Sequence, residues 1–317
     1  MMGGFYILTI SFVVIPLVWD KTIAGDAQWG YFGNIGPSRW TNVSATCGGS
    51  QQSPINIQPK HAKVTSYDSF TMHNYDITNV TLPLKNTGHT AQLDFSGAAL
   101  GVSGGGLSGD YTTAQLHFHW GKTNFEGSEH TLDGKTFPME LHIVNYKTAY
   151  GTLLDAVDKA DGLAVWGFFF KIGDSNQTVL DNIINALPKI VADGTNTTLS
   201  PFKLEELLPS NVKNFYRYAG SLTSPYCNES VIWTLFTDTI NITASKMEEF
   251  RKLQAVEKND NNDYNMYKNF RPTQSLGGRV VYSSFEPSFE PNAAERQYSP
   301  ISLSLLALAP LTLSHMI

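Results

Sequence analysis

Residues 115–121 read QLHFHWG, and the alternation in that run suits an extended backbone. In a strand, successive side chains turn to opposite faces. Gln115, His117 and His119 then share one face, and Leu116, Phe118 and Trp120 the other. The apolar face can bury in a core while the polar face sets two imidazoles side by side. Eight histidines in 317 residues give such a pair by chance roughly 0.2 times, so the pair alone decides little. A second alternating run, MELHIVNY at 139–146, puts Glu140, His142 and Val144 on one face and Leu141 and Ile143 on the other. Three histidines thus fall on the polar faces of two strands. Each lies beside a group able to hold its second ring nitrogen, which is the support a metal ligand needs. Three neutral imidazoles with no cysteine nearby favour Zn2+ with an open fourth position, the form of a catalytic rather than a structural site.

Further runs read as strands between turn residues: 90–95, 163–173 and 231–237. Helical spacing is confined to 179–191, where Pro188 bends or ends the helix, and 245–253, which opens with Ser245 and Glu248 at capping-box spacing. GVSGGGLSGD at 101–110 reads as a glycine-rich turn, with no Lys-Ser/Thr after it to make a phosphate loop. The fold class expected is mixed α+β, mainly β: a large twisted, mostly antiparallel central sheet with peripheral helices. No linker or repeat divides residues 28–290, so one large domain is expected. A net charge of −6 with no basic run excludes nucleic acid as a partner.

Both ends carry targeting patterns. The apolar run at 5–19 is followed by small residues, with cleavage expected after Ala24 or Ala27, so 1–27 reads as a secretory signal. At the other end Asn292, Ala293 and Ala294 precede a short polar spacer and an apolar tail without Lys or Arg. That is the pattern of a GPI-attachment signal, with Asn292 as attachment site and 286–317 as the signal region. Secretion suits the two cysteines, Cys47 and Cys227, to one long-range disulfide. It also makes the six N-x-S/T sequons, at Asn42, Asn79, Asn176, Asn196, Asn228 and Asn241, candidate glycosylation sites.

Taken together, WGY (29–31), QSPINI (52–57), NTGH (86–89), QLHFHWG (115–121), GSEHTLDG (127–134), MELHIVNY (139–146), GLAVWGFF (162–169), YAGSLTSP (218–225) and NFRP (269–272) resemble the alpha-class carbonic anhydrases. The resemblance covers residues 28–285 and, with the ends and the cysteine pair, is greatest to the extracellular, membrane-anchored members. It implies reversible hydration of CO2 to bicarbonate and a proton at the outer face of the plasma membrane, with Zn2+ as cofactor and a lipid anchor as the membrane contact. It implies His117, His119 and His142 as ligands, Gln115 and Glu140 as their supports, and a zinc-held hydroxide as nucleophile. Thr223 and Glu129 would orient it: a hydroxyl accepts one hydrogen bond and donates another, whereas a carboxylate only accepts. Val144, Val165, Leu222 and Trp233 match the apolar wall for CO2, with Ser224 beside Thr223 in the pocket. His89 matches the proton-shuttle position, and a group titrating near neutrality suits that task. Tyr31 matches a tyrosine at the mouth. Thr87 and Gln92 stand where asparagines often line the water chain. Tyr226 stands where a small residue or proline is usual and is expected to narrow the mouth, which a glycan on Asn228 would crowd.

The rival reading is a catalytically weak, carbonic-anhydrase-like extracellular binding module. Such relatives lose zinc histidines, and here all three stand with Glu129 and Thr223. A structural matrix protein would carry an added acidic or Gly-Asn repeat, which the chain lacks.

Overall fold

Branched and aromatic residues fill the alternating runs, and side chains of that kind pack well on a pleated surface. The computed structural model describes residues 28–76, 78, 81–175 and 177–287. Among these, a twelve-stranded sheet runs in the spatial order Asn196–Leu199, Leu82–Asn86, Ala91–Asp94, Tyr111–Trp120, Met139–Lys147, Leu163–Ile172, Val231–Ile242, Phe215–Gly220, Tyr282–Ser283 and Lys63–Val64. Phe70–His73 and Gly101–Gly104 lie off this path and pair with each other. Most pairings are antiparallel, as expected. The central pair Leu163–Ile172 and Val231–Ile242 is parallel, as is Tyr282–Ser283 with Lys63–Val64. The 58 residues between the central two, 173–230, include the helix Thr178–Ala186, and a parallel pair requires such a crossover.

The sheet separates two cores. One face packs Leu116, Phe118, Trp120, Leu141 and Ile143 with Ile183 and Phe250 from the helices. The other holds Val144, Val165, Tyr218, Trp233 and Leu235. The alternation in the two histidine runs thus reports the sheet faces correctly.

Three local expectations change. The helix at 244–251 is capped by Thr243, whose hydroxyl accepts from Lys246 N–H, so the Ser245–Glu248 box does not form. Thr243 keeps the extended backbone of a cap (φ −78°, ψ 154°) as the chain leaves the preceding strand, and Ser245 is already inside the helix. In the glycine-rich stretch, Gly101–Gly104 is a strand and the turn follows it. The Val231–Ile242 strand extends five residues past the run read from the sequence. Pro188 acts as expected: the α-helix stops at Ala186 and a 3-10 turn spans Leu187–Lys189.

Cys47 and Cys227 form the expected disulfide across a sequence separation of 180 residues. It sits in a small cluster with Trp40 that fastens the N-terminal segment to the loop after Thr223. Among the described residues, no helix is long and apolar enough to cross a membrane. The expected signal (1–27), Asn79, Asn176 and Asn292 lie outside the described residues.

Candidate metal centre

Strand register brings the imidazoles together. His117 lies directly opposite His142, and His119 opposite Glu140. One ring nitrogen from each of His117, His119 and His142 falls within a set whose members are all within 4.8 Å of one another. The other nitrogen of each ring is spent. His117 Nδ1 donates to Gln115 Oε1 at 2.9 Å, His119 Nδ1 to the Asn269 carbonyl at 2.6 Å, and His142 Nε2 to Glu140 Oε1 at 2.7 Å. A carbonyl oxygen and a carboxylate can only accept, so these bonds fix the tautomers. They leave lone pairs on Nε2, Nε2 and Nδ1 respectively.

Glu140 does more than support one ring. Its Oε1 also accepts from His130 Nδ1 at 2.7 Å, and its Oε2 takes the backbone N–H groups of Glu129 and His130 at 2.9 and 2.8 Å. Four donors converge on one fully buried carboxylate. His130 Nε2 meets the Tyr218 hydroxyl at 2.6 Å, and Tyr218 meets Ser53 Oγ at 2.8 Å. His130, Glu140 and His142 also cluster closely enough to hold an ion, but their facing atoms are bonded to one another. Space for this network comes from Gly167, which lies opposite His142, where a Cβ would overlap Leu235 and crowd Glu140.

Glu129 closes the site. Its Oε1 accepts from Arg271 N–H at 2.8 Å, and its Oε2 lies 3.5 Å from His119 Nε2. Both of those facing atoms are buried and without a hydrogen-bond partner. Two acceptors facing each other in a dry interior are unfavourable unless a proton or a metal cation lies between them. The donor set therefore fits a metal ion. Burial drives the Glu129 carboxyl well above its ordinary range, against the pull of Arg271 N–H and the Thr223 hydroxyl. A cation beside it would favour the ionised form. Thr223 is buried, on a loop held by a reciprocal exchange: Ser221 N–H donates to Ser53 Oγ at 3.0 Å, and Ser53 N–H to Ser221 Oγ at 2.9 Å.

The apolar residues line up by register. Val144 pairs across to Val165 and Val165 to Trp233, and the Trp233 ring stands 4.8 Å from that of His142. Leu222 packs against the same cluster, and Ser224 is half-buried. His89 stands apart from the three imidazoles, stacked on Trp29 at 3.8 Å. Tyr226 is 38% exposed. Of the described sequons, Asn42 and Asn196 are exposed, whereas Asn228 and Asn241 donate their side-chain amides to Asp158 and the Asp174 carbonyl.

Sequence reasoning missed Asn269, His130, Tyr218 and Arg271 as parts of this site. The NFRP motif held the signal. The Asn269 side chain accepts from Trp120 N–H at 2.7 Å and donates to the Phe118 and His89 carbonyls, which fixes its own carbonyl beneath His119.

Burial holds all three imidazoles neutral. It lowers the pKa of His117 well below the usual range, that of His119 to about 3, and that of His142 despite the opposing charge of Glu140. An unfolded histidine titrates near 6.5, so the unfolded chain binds more protons than the folded one below that pH. Burial also pushes Glu140 up, but His130 and His142 outweigh it and hold the carboxyl below its ordinary range. Its stabilising effect is present above the unfolded carboxylate pKa and is lost as pH falls through its depressed folded value. Glu129, with its raised pKa, works the other way as pH falls toward the unfolded carboxylate range, but it is one group against three imidazoles. Metal-free protein is therefore expected to lose melting temperature on balance between about pH 6.5 and 4, and a flat profile would contradict this electrostatic reading.

Three imidazoles facing one another with a buried carboxylate against them, on a mainly β scaffold, define a protein with a group of side chains that could hold a metal ion. The chain belongs to the eukaryotic-type carbonic anhydrase family, whose model matches residues 35–285. Carbonic anhydrase 7 of Mus musculus is 39% identical over 267 residues, covering 83% of this chain and 100% of the relative. Carbonic anhydrase 7 of Homo sapiens is 38% identical, covering 83% and 99%, and carbonic anhydrase 4 of Oryctolagus cuniculus 34% identical, covering 87% and 91%. The chain is an enzyme of this family.

Proposed function

We propose that the chain catalyses the reversible hydration of CO2 to bicarbonate and a proton, with Zn2+ held by His117 Nε2, His119 Nε2 and His142 Nδ1. The observation that carries this reading is the tautomer set: each ring donates its other N–H to an acceptor-only group or an amide oxygen. When bound, the ion supplies a Lewis acid that makes water acidic enough to act as nucleophile near neutral pH. The protein's own groups do the rest. Glu129 accepts from the Thr223 hydroxyl, leaving the Thr223 oxygen lone pair to accept from and orient the attacking oxygen. CO2, which has no net dipole, rests against Val144, Val165, Leu222 and Trp233 and is freed from water there. Ser224 offers a second hydroxyl at the edge. His89 carries the released proton to solvent.

Stopped-flow CO2 hydration with zinc quantified in the same sample tests the reading. Fast hydration at one zinc per chain is expected. His89→Ala is expected to slow turnover about tenfold or more in weak buffer, with rescue by imidazole. One zinc per chain without hydration would sink the catalytic proposal.

We further propose residues 1–27 as a secretory signal, 28–285 as the catalytic domain, and 286–317 as a GPI signal with attachment at Asn292. Glycans would sit foremost on Asn42 and Asn196. The disulfide supports an oxidising compartment. Cells expressing the chain are expected to release activity into the medium on treatment with phosphatidylinositol-specific phospholipase C. Activity that stays with the membrane fraction would argue against the anchor.

A further inference from the structure

The segment that carries His89 is clamped by groups remote from the three imidazoles. Val256 N–H donates to the Gly88 carbonyl at 3.0 Å, which sets their neighbours His89 and Glu257 close to each other. Gly88 has φ +79°, and a Cβ there would run into the Asp193 carboxylate. Glu257 reaches the other way, to the N-terminal segment. Its Oε1 accepts from Tyr31 N–H at 2.7 Å, and its carboxylate presses on Gly30 so closely that no side chain fits there. One residue earlier, Trp29 presents its ring to His89 at 3.8 Å and 12°, and its carbonyl accepts from His89 Nε2 at 3.0 Å. Among the described residues, Glu257 Oε2 is buried with no hydrogen-bond partner. A carboxylate oxygen left unpaired in the interior is costly, and its retention calls for a use.

We propose that Glu257 is a positioning residue for His89: it pins the Trp29–Tyr31 segment against which the imidazole rests. The kinetic consequence rests on the shuttle reading of His89; the structural one does not. Burial raises the pKa of Glu257, the Tyr31 N–H and the His89 charge oppose the rise, and Asp193 adds to it. Asp193 is the other acidic group on this side, and it is exposed, so water and salt screen it. An imidazole held against a pinned segment has one place from which a carried proton departs.

Glu257→Ala removes the acceptor of Tyr31 N–H, whereas the amide oxygen of Glu257→Gln still takes that bond. In zinc-loaded protein, the ring-current shift that the stacked Trp29 imposes on the His89 ring protons is expected to be lost in Glu257→Ala and restored in Glu257→Gln. In weak buffer, Glu257→Ala is expected to slow hydration about threefold where His89 is present and to have no effect in His89→Ala. An unchanged ring-current shift in Glu257→Ala overturns the proposal, as does an equal kinetic loss with and without His89. If His89→Ala itself leaves turnover in weak buffer unchanged, the shuttle reading fails. The ring-current shift in Glu257→Ala then still decides the positioning role alone.

Discussion

His119→Ala is expected to purify without zinc and to hydrate CO2 no faster than background, while folding to the same sheet. His119 supplies one of only three lone pairs, and two imidazoles cannot complete a stable site for an ion that takes three protein ligands. Changes to groups that merely orient such ligands cost about 10–100-fold in metal affinity, so loss of a ligand should cost more than about 100-fold. The fold should survive. The ring is one side chain in a sheet held by continuous register on both strands, and the Asn269 side chain keeps its own bonds to Trp120 and Phe118. The Asn269 carbonyl loses its donor, a cost of about 1–3 kcal/mol that entering water reduces. Zinc by atomic absorption after dialysis, stopped-flow hydration and near-ultraviolet circular dichroism read the three parts separately. His61→Ala is the control, because His61 is exposed and, among the described residues, its ring bonds only Gln58. A His119→Ala protein that keeps one zinc and full activity would remove His119 from the ligand set.

The faces of the two histidine strands were legible because a period of two ties each side chain to one side of a sheet. Leu116, Phe118 and Trp120 lie in one core, and His117 and His119 on the other side. Register was not legible. That His117 meets His142, rather than a residue one place away, depends on pairing across 25 positions, which no local pattern specifies. The support of His119 was invisible for a different reason: its acceptor is a backbone carbonyl, present in every residue type. The parallel central pair also escaped, since both its strands read as apolar runs that suit either direction. The cap at Thr243 was misread because two hydroxyls two residues apart compete, and only the backbone conformation chooses between them. Glu257 lies in no motif, and its use follows solely from what the fold sets beside it.

Glu140→Gln, nearly identical in volume, is expected to weaken zinc binding about 10–100-fold and to lower stability. The parent carboxylate accepts from two backbone amides on one oxygen and two imidazoles on the other. A glutamine has one oxygen and one NH2 group. The amides of Glu129 and His130 cannot change what they donate, so the oxygen must face them. The NH2 then faces His130 Nδ1 and His142 Nε2, and both rings must offer lone pairs there. His142 can do so only by moving its proton to Nδ1, the nitrogen assigned to zinc. Zinc would then have to displace that proton and leave the NH2 group facing an N–H. Glu140→Ala takes a different course. It leaves four donors unpaired in a site with no exposed surface, with a cost of about 3–5 kcal/mol, the scale for removing one partner of a buried pair. Competition with a chelator measures the zinc affinity, and calorimetric melting of the metal-free proteins measures the stability. A glutamine variant with parental zinc affinity would show that the carboxylate does not set the tautomer of His142, and the inferred lone pair on Nδ1 would need another cause.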